Sequence, residues 1–164
     1  MAEADFPPAV IAEAVAAARA WLRLESSGEE TLLAATVVTA LRLAEAFAGQ
    51  RLIARAFEDR VTADGAWHRL AAEPVTAMTA SADAADIDSD GIGWVRVSGG
   101  GIVSVGYVAG LAGSWSAVPP PLAQGVTMLA AHLFEHRERD SAPPAAIAAL
   151  WRPWRRVRVG SARR

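Results

Sequence analysis

The chain contains no cysteine, no lysine, one tyrosine and four phenylalanines among its 164 residues. Without cysteine it can form neither disulfides nor thiolate metal sites. Without lysine, all 16 basic residues are arginine, a composition that fits a GC-rich coding sequence and host. No uninterrupted apolar run is present either. The 35 residues from Val97 to Ala131 carry no charge, but glycines, serines and the block Pro119 to Pro121 break them up. A bilayer-spanning helix is therefore not expected there, and no membrane partner is expected. The first eight residues carry Glu3 and Asp5 and no apolar stretch, so a signal peptide is not expected.

Alanine is abundant, with 38 residues, and Val, Ile, Leu and Phe together supply only another 38. The length suits one domain. A core so rich in alanine buries little area per residue, so neighbouring subunits are expected to contribute to stability. The net charge of −2 hides a polarity. Between Glu58 and Asp90 eight acids face only Arg60 and Arg69, whereas Ser141 to Arg164 holds six arginines and no acid. That layout suits an arm that docks on an acidic partner.

Periodicity predicts a helix over about 9–24, with Ile11, Val15, Ala18 and Leu22 on one stripe behind Pro7 and Pro8. A second helix is expected after a Ser26 or Ser27 cap, with Leu33, Val37, Ala40, Leu41, Ala44 and Phe47 on one face and Gly49 as its stop. From Leu52 to Val108 the pattern changes to short strands. Asp64 and Gly65 read as a hairpin-type turn, and Ile92–Val97 and Ile102–Val108 as a hairpin around Gly99 to Gly101. The proline block then starts a third helix on Leu122, Val126, Leu129 and Leu133, and a short helix follows Pro144 to about Leu150. The expected class is α+β and mainly helical. Three longer helices would carry a small antiparallel β insertion (about 52–108) between the second and third, with an extended C-terminal arm. Residues 1–140 would form the helical domain, and 141–164 the short helix and arm.

Three motifs bear on chemistry. His132, Glu135 and His136 spell H-x-x-E-H, which places two imidazoles one turn apart beside a possible base; a small zinc hydrolase is the corresponding alternative. Asp140 and Glu138 lie near but follow no known third-ligand spacing. Asp86, Asp88 and Asp90 before Gly91 match the first half of a calcium loop. Position 12 would be Val97, and with Asp83 the segment reads better as an acidic turn. In the tail, Trp151 and Trp154 alternate with Arg152, Arg155, Arg156 and Arg158, beside Val157. Trp and Arg are the side chains that dominate protein interfaces. A docking arm is the first reading of the tail, and an arginine-arm nucleic-acid-binding module is the alternative.

Taken in order, several segments resemble the head–tail connector (adaptor) family of long-tailed phages and related gene transfer agents. They are Trp21 to Glu25, Glu29 to Leu33, Phe47 to Ile53, Glu73 to Met78, Val105 to Gly110, Val118 to Gln124, His132 to Glu138 and Ala145 to Val159. In that family the third helix ends in a similar His-x-aromatic-Glu-x-Arg pattern, which leaves His136 incidental. The resemblance implies a structural protein with no catalytic residue, metal or cofactor, set in the neck of a virion or phage-like particle and in the host cytoplasm before assembly. It implies a ring, commonly of twelve copies, with the arm residues Trp151, Arg152, Trp154, Arg155, Arg156, Val157 and Arg158 docked on the portal. Stopper or tail proteins would sit on the other side, and double-stranded DNA would pass, without sequence preference, through a lumen rimmed by Asp83, Asp86, Asp88 and Asp90.

Overall fold

A computed structural model describes residues 1–25, 28–79, 82–136 and 142–156. Its helices start and stop where the local chemistry dictates. Helix α1 (Pro8–Leu22) begins on a proline, whose fixed φ suits the first turn, and ends at Arg23 in the left-handed conformation. Helix α2 (Glu30–Ala48) ends at Gly49, φ 66°. Helix α3 (Pro120–Glu135) begins inside the proline block. Helix α4 (Ala145–Trp151) follows Pro144 and runs into a single 3-10 turn, Arg152–Trp154. The proposed caps Ser26 and Ser27 lie outside the described residues.

The expected stripes of α2 and α3 are buried except for the half-buried Phe47 and Leu133, whereas in α1 the buried face is Val10, Ala14, Val15 and Ala18, with the expected Ile11 and Leu22 only half-buried. Leu33, Val37, Ala40, Leu41 and Ala44 of α2 pack with Val10, Ala14, Val15 and Ala18 of α1 and with Leu122, Val126 and Leu129 of α3. Ala14 and Ala18 of α1 and Ala40 and Ala44 of α2 are among these core residues, and each buries little area.

Seven strands form two antiparallel sheets. Strands β1 (Ala2–Glu3), β2 (Arg55–Thr62), β7 (Ile102–Ala109) and β4 (Val75–Met78) lie side by side in that order. Strands β3 (Trp67–Arg69), β6 (Gly93–Arg96) and β5 (Ala84–Ile87) form the second sheet. A separate core fills the space behind them, built on Phe57, Val61, Leu70, Val75, Val95, Val105 and Tyr107. Tyr107 is fully buried. Its hydroxyl donates to Asp59 Oδ2 at 2.9 Å and accepts the Ala72 N–H at 3.0 Å, and the Ala71 N–H donates to the same Asp59 oxygen at 2.7 Å. Burial, reinforced by the Asp59 charge, pushes the phenol's ionisation upward and keeps it a donor.

Several sequence expectations need correction. Among the described residues four helices and two antiparallel sheets make the fold α+β, as expected; the corrections lie in the strand pairing. The segments around Gly99 to Gly101 do not form a hairpin. β6 pairs with β3 and β5, while β7 pairs with β2 over eight residues, from Arg55 opposite Ala109 to Thr62 opposite Ile102. The glycine loop is a crossing between sheets, and its three positive φ angles let the chain turn out of one sheet and into the other. The Asp64–Gly65 turn likewise leads from one sheet to the other, since β2 and β3 are not partners. Nor does the β region consist of the insertion alone, because β1 at the N-terminus pairs with β2, Ala2 opposite Glu58.

The two layers meet at one junction. Glu45, on the last turns of α2, is 3% exposed and receives both terminal nitrogens of Arg55 on β2, at 2.8 and 2.7 Å. Glu45 Oε1 also accepts the Leu52 N–H at 2.9 Å, and Arg55 donates to Ile53 O at 2.9 Å and to Glu3 Oε1 at 2.5 Å. The guanidinium lies between the rings of Phe6 (4.4 Å) and Phe57 (5.0 Å). Beside this cluster Gly110 crosses the chain at Ile53 and Ala54 with φ 144°, where a Cβ would lie 2.3 Å from Ala54 N.

Removing one partner strands the other charge in the interior, so Glu45→Ala should cost about 3–5 kcal/mol in denaturant unfolding. A second expectation concerns pH. Burial alone would raise the Glu3 carboxyl, but the hydrogen bond from Arg55 and the charges of Arg51, Arg55 and Arg42 hold it below its ordinary value of 4.5. Its contribution is complete above that value and disappears as pH falls through the lowered one. Thermal melts between pH 6 and pH 3 should show an acid loss of stability that is shallower in Glu3→Gln.

Candidate assembly interface

The C-terminal strap begins with a large side chain placed inward. Trp151 is 4% exposed and lies flat on α3 over Gly125, where a Cβ would come within 2.2 Å of its indole nitrogen. The Trp151 Nε1–H donates to Leu122 O at 3.3 Å, in the first turn of α3, and the ring packs against Phe47 at 5.8 Å between centroids. In the subunit Trp151 is thus a core residue and does not stand out as an exposed anchor; its indole fills the notch left by the absent Gly125 side chain.

Beyond α4 the strap crosses the end of α2. Trp154 is half-buried and its carbonyl accepts Gln50 Nε2 at 2.7 Å. The Arg156 N–H donates to Ala48 O at 2.8 Å, and a Cβ on Gly49 would meet Arg156 O at 2.6 Å. The Arg156 guanidinium reaches the acidic turn and donates to Asp90 O at 2.5 Å. Arg152 and Arg155 stay exposed, with Arg155 lying over Phe47 at 5.8 Å. The strap through Arg156 is held by the body; Val157 and Arg158 lie outside the described residues.

The acidic group sits on the edge strand β5 and the turn that follows. Asp88 Oδ1 accepts the N–H groups of Asp90 and Ile92, both at 2.9 Å, and Asp83 Oδ2 accepts the Ser98 N–H at 2.7 Å. These carboxylates organise the turn. Asp83 and Asp90 are exposed, and Asp86 and Asp88 half-buried. The contact between Arg156 and Asp90 O joins the basic strap to this turn, a proximity the sequence did not signal.

Among the described residues the other motifs do not assemble metal sites. His132 is buried, Glu135 faces solvent, and the rings of His132 and His136 stack at 4.4 Å and 24°. Stacked rings hold their nitrogens side by side and do not converge on one ion. His136 Nδ1 lies 3.0 Å from His132 O, within hydrogen-bonding range. Asp140 and Glu138 lie outside the described residues. Among the described residues no group of three or more His, Asp or Glu is arranged to hold a metal.

Three solved structures similar to this chain come from gene transfer agent particles. It matches the neck of an empty gene transfer agent particle computed with C6 symmetry, at 29% identity over 98% of each chain, TM-score 0.75. It matches the virion of a native gene transfer agent particle at 27% identity over 97% of this chain and 96% of the other, TM-score 0.73. A third match, the neck of a native particle computed with C12 symmetry, has 28% identity over all of both chains and a TM-score of 0.71. The head–tail connector resemblance is borne out. With it comes the neck of a virion or phage-like particle as the setting of this connector-type chain. No protein-family profile matches the chain, and no curated protein matches it.

In an ordinary helix interior Gly→Ala stabilises by about 1 kcal/mol. Here Gly125→Ala should instead destabilise by about 1–3 kcal/mol, because the indole is displaced. Limited trypsin digestion should report it as faster cleavage at Arg155 and Arg156, since Pro153 protects the bond after Arg152.

Proposed function

We propose that this connector-type chain is a non-enzymatic ring subunit that joins the portal of a phage-like particle to its stopper or tail, with DNA passing through the lumen. The observation that carries the reading is the likeness to gene transfer agent neck chains over nearly the whole length of both, at 27–29% identity. Necks computed with C6 and C12 symmetry support a cyclic ring, and twelve copies is the number we favour. The alanine-rich core and the uncharged Val97–Ala131 segment agree with a subunit that leans on its neighbours.

Within this reading the strap divides its labour. Trp151, Trp154 and Arg156 fasten its base to the body, and Arg152, Arg155 and the residues from Val157 and Arg158 onward meet the portal. The exposed Asp83 and Asp90, with Asp86 beside them, face DNA across the lumen, where like charge keeps the duplex from adhering; Asp88 serves its turn. A chain ending at Arg156 and carrying Arg152→Ala and Arg155→Ala keeps the Trp151, Trp154 and Arg156 contacts of the strap and loses only the exposed Arg155 guanidinium over Phe47. It should fold, shown by an unchanged melting profile, and fail to co-purify with portal rings; retained binding would refute the docking role. For the acids, Asp83→Ala, Asp86→Ala and Asp90→Ala together should slow DNA delivery by assembled particles, and unaltered delivery and assembly would remove them from the channel.

A further inference from the structure

Helix α2 is apolar on both sides. One face enters the helical core through Leu33, Val37, Ala40, Leu41 and Ala44. The opposite face is exposed and reads Leu32, Ala35, Thr39, Leu43, Ala46, a spacing of three, four, four and three residues that draws a stripe of roughly 21 Å along the helix. Leu32 is 39% exposed and Leu43 47%. By length and composition alone α2 could cross a membrane, although its inner face is core. A helix apolar all round is normally enclosed on every side.

Two further features show that this face is shaped for contact. The charge nearest to it, Arg42, is turned to the N-terminal segment, paired with Glu3 (3.6 Å) and Asp5 (3.7 Å) and lying over Phe6 (5.5 Å). At its C-terminal end the stripe opens into an apolar groove of about 430 Å³ between α2 and α4, bordered by Leu43, Phe47, Pro143, Pro144 and Ala148. A ridge continuous with a dry groove offers a neighbour both packing area and a recess for a side chain.

We propose that this outer face of α2, with the groove at its end, is the surface on which the next copy of this chain packs in the ring. The occupant is argued from the cyclic symmetry of the similar necks: a subunit of a cyclic ring lies between two copies of itself, and the outer α2 stripe is an uncharged surface of helix length open to one of them. In a cyclic ring that contact is heterologous, and the α2 face meets a different surface of its neighbour, not itself. The inference rests on the ring reading above.

The cysteine-free sequence makes the test direct. Full-length Ala35→Cys and Leu43→Cys variants place single thiols on exposed positions, and maleimide labelling is followed by mass spectrometry in the free subunit and in purified particles. We expect labelling at both positions to slow at least tenfold on assembly, without disulfides between like positions. Ala35→Glu should leave the circular dichroism of the subunit unchanged and abolish incorporation, whereas Ala35→Ser should incorporate normally. Rings whose thiols stay open, disulfides joining like positions, or protection that appears only when portal binds a lone subunit would each overturn this surface while leaving the connector reading intact. Particles lacking the chain altogether would overturn both.

Discussion

A buried ion pair between Glu45 and Arg55 carries the connection between the helical and sheet layers. Each layer has its own apolar core, and the chain passes between them in a few residues. An apolar plug would join them without direction. The bidentate geometry, the Leu52 N–H on the carboxylate and the two flanking aromatic rings fix the angle at which β2 leaves α2. Placing two charges in the interior is costly on its own, and the hydrogen bonds to Glu45, Glu3 and Ile53 O offset part of that cost, while Arg55 Nε stays buried without a partner. Glu3 and Arg51 extend the cluster toward solvent and draw the N-terminal strand into it.

The same junction organises the candidate interface. The strap is laid over Ala48 and Gly49, between the two members of the ion pair in the chain, and Gln50 holds the Trp154 carbonyl. The strap therefore starts from a fixed point on the body. The acidic turn is fixed by the same residues, because Arg156 bonds to Asp90 O. Basic and acidic segments that lie far apart in the chain are thus presented with a set spacing, which a recognition surface requires and a frayed terminus does not supply.

Helix ends and stripes were legible in the sequence because their determinants are local: Pro8, Gly49 and the proline block act on the residues beside them. Strand partners were not. Alternation in Val103, Val105 and Tyr107 says which side of a strand is buried but nothing about its neighbour, so β6 and β7 were paired across the nearest loop when they belong to different sheets. Strand β5 was hidden among acids that read as a turn, since its edge position leaves it little apolar signature. Gly125 in mid-helix was a visible oddity whose reason lay in Trp151, and the tryptophan's richness as an interface residue drew attention away from its use as a core residue. Glu45 and Arg55 stand ten positions apart with no pattern to join them. The connector resemblance was legible because it depends on the order of many weak segments, and pairing errors leave that order intact.

Both ends of the described chain converge on one short stretch, with Glu3 bonded to Arg55 and the Arg156 N–H bonded to Ala48 O. Tension on the strap is therefore delivered to the turn between α2 and β2, by a backbone bond across Gly49, before it reaches α4. Trp151, wedged on α3, is the second stop behind it. A subunit wired in this way bears load through its middle and does not peel from its terminus.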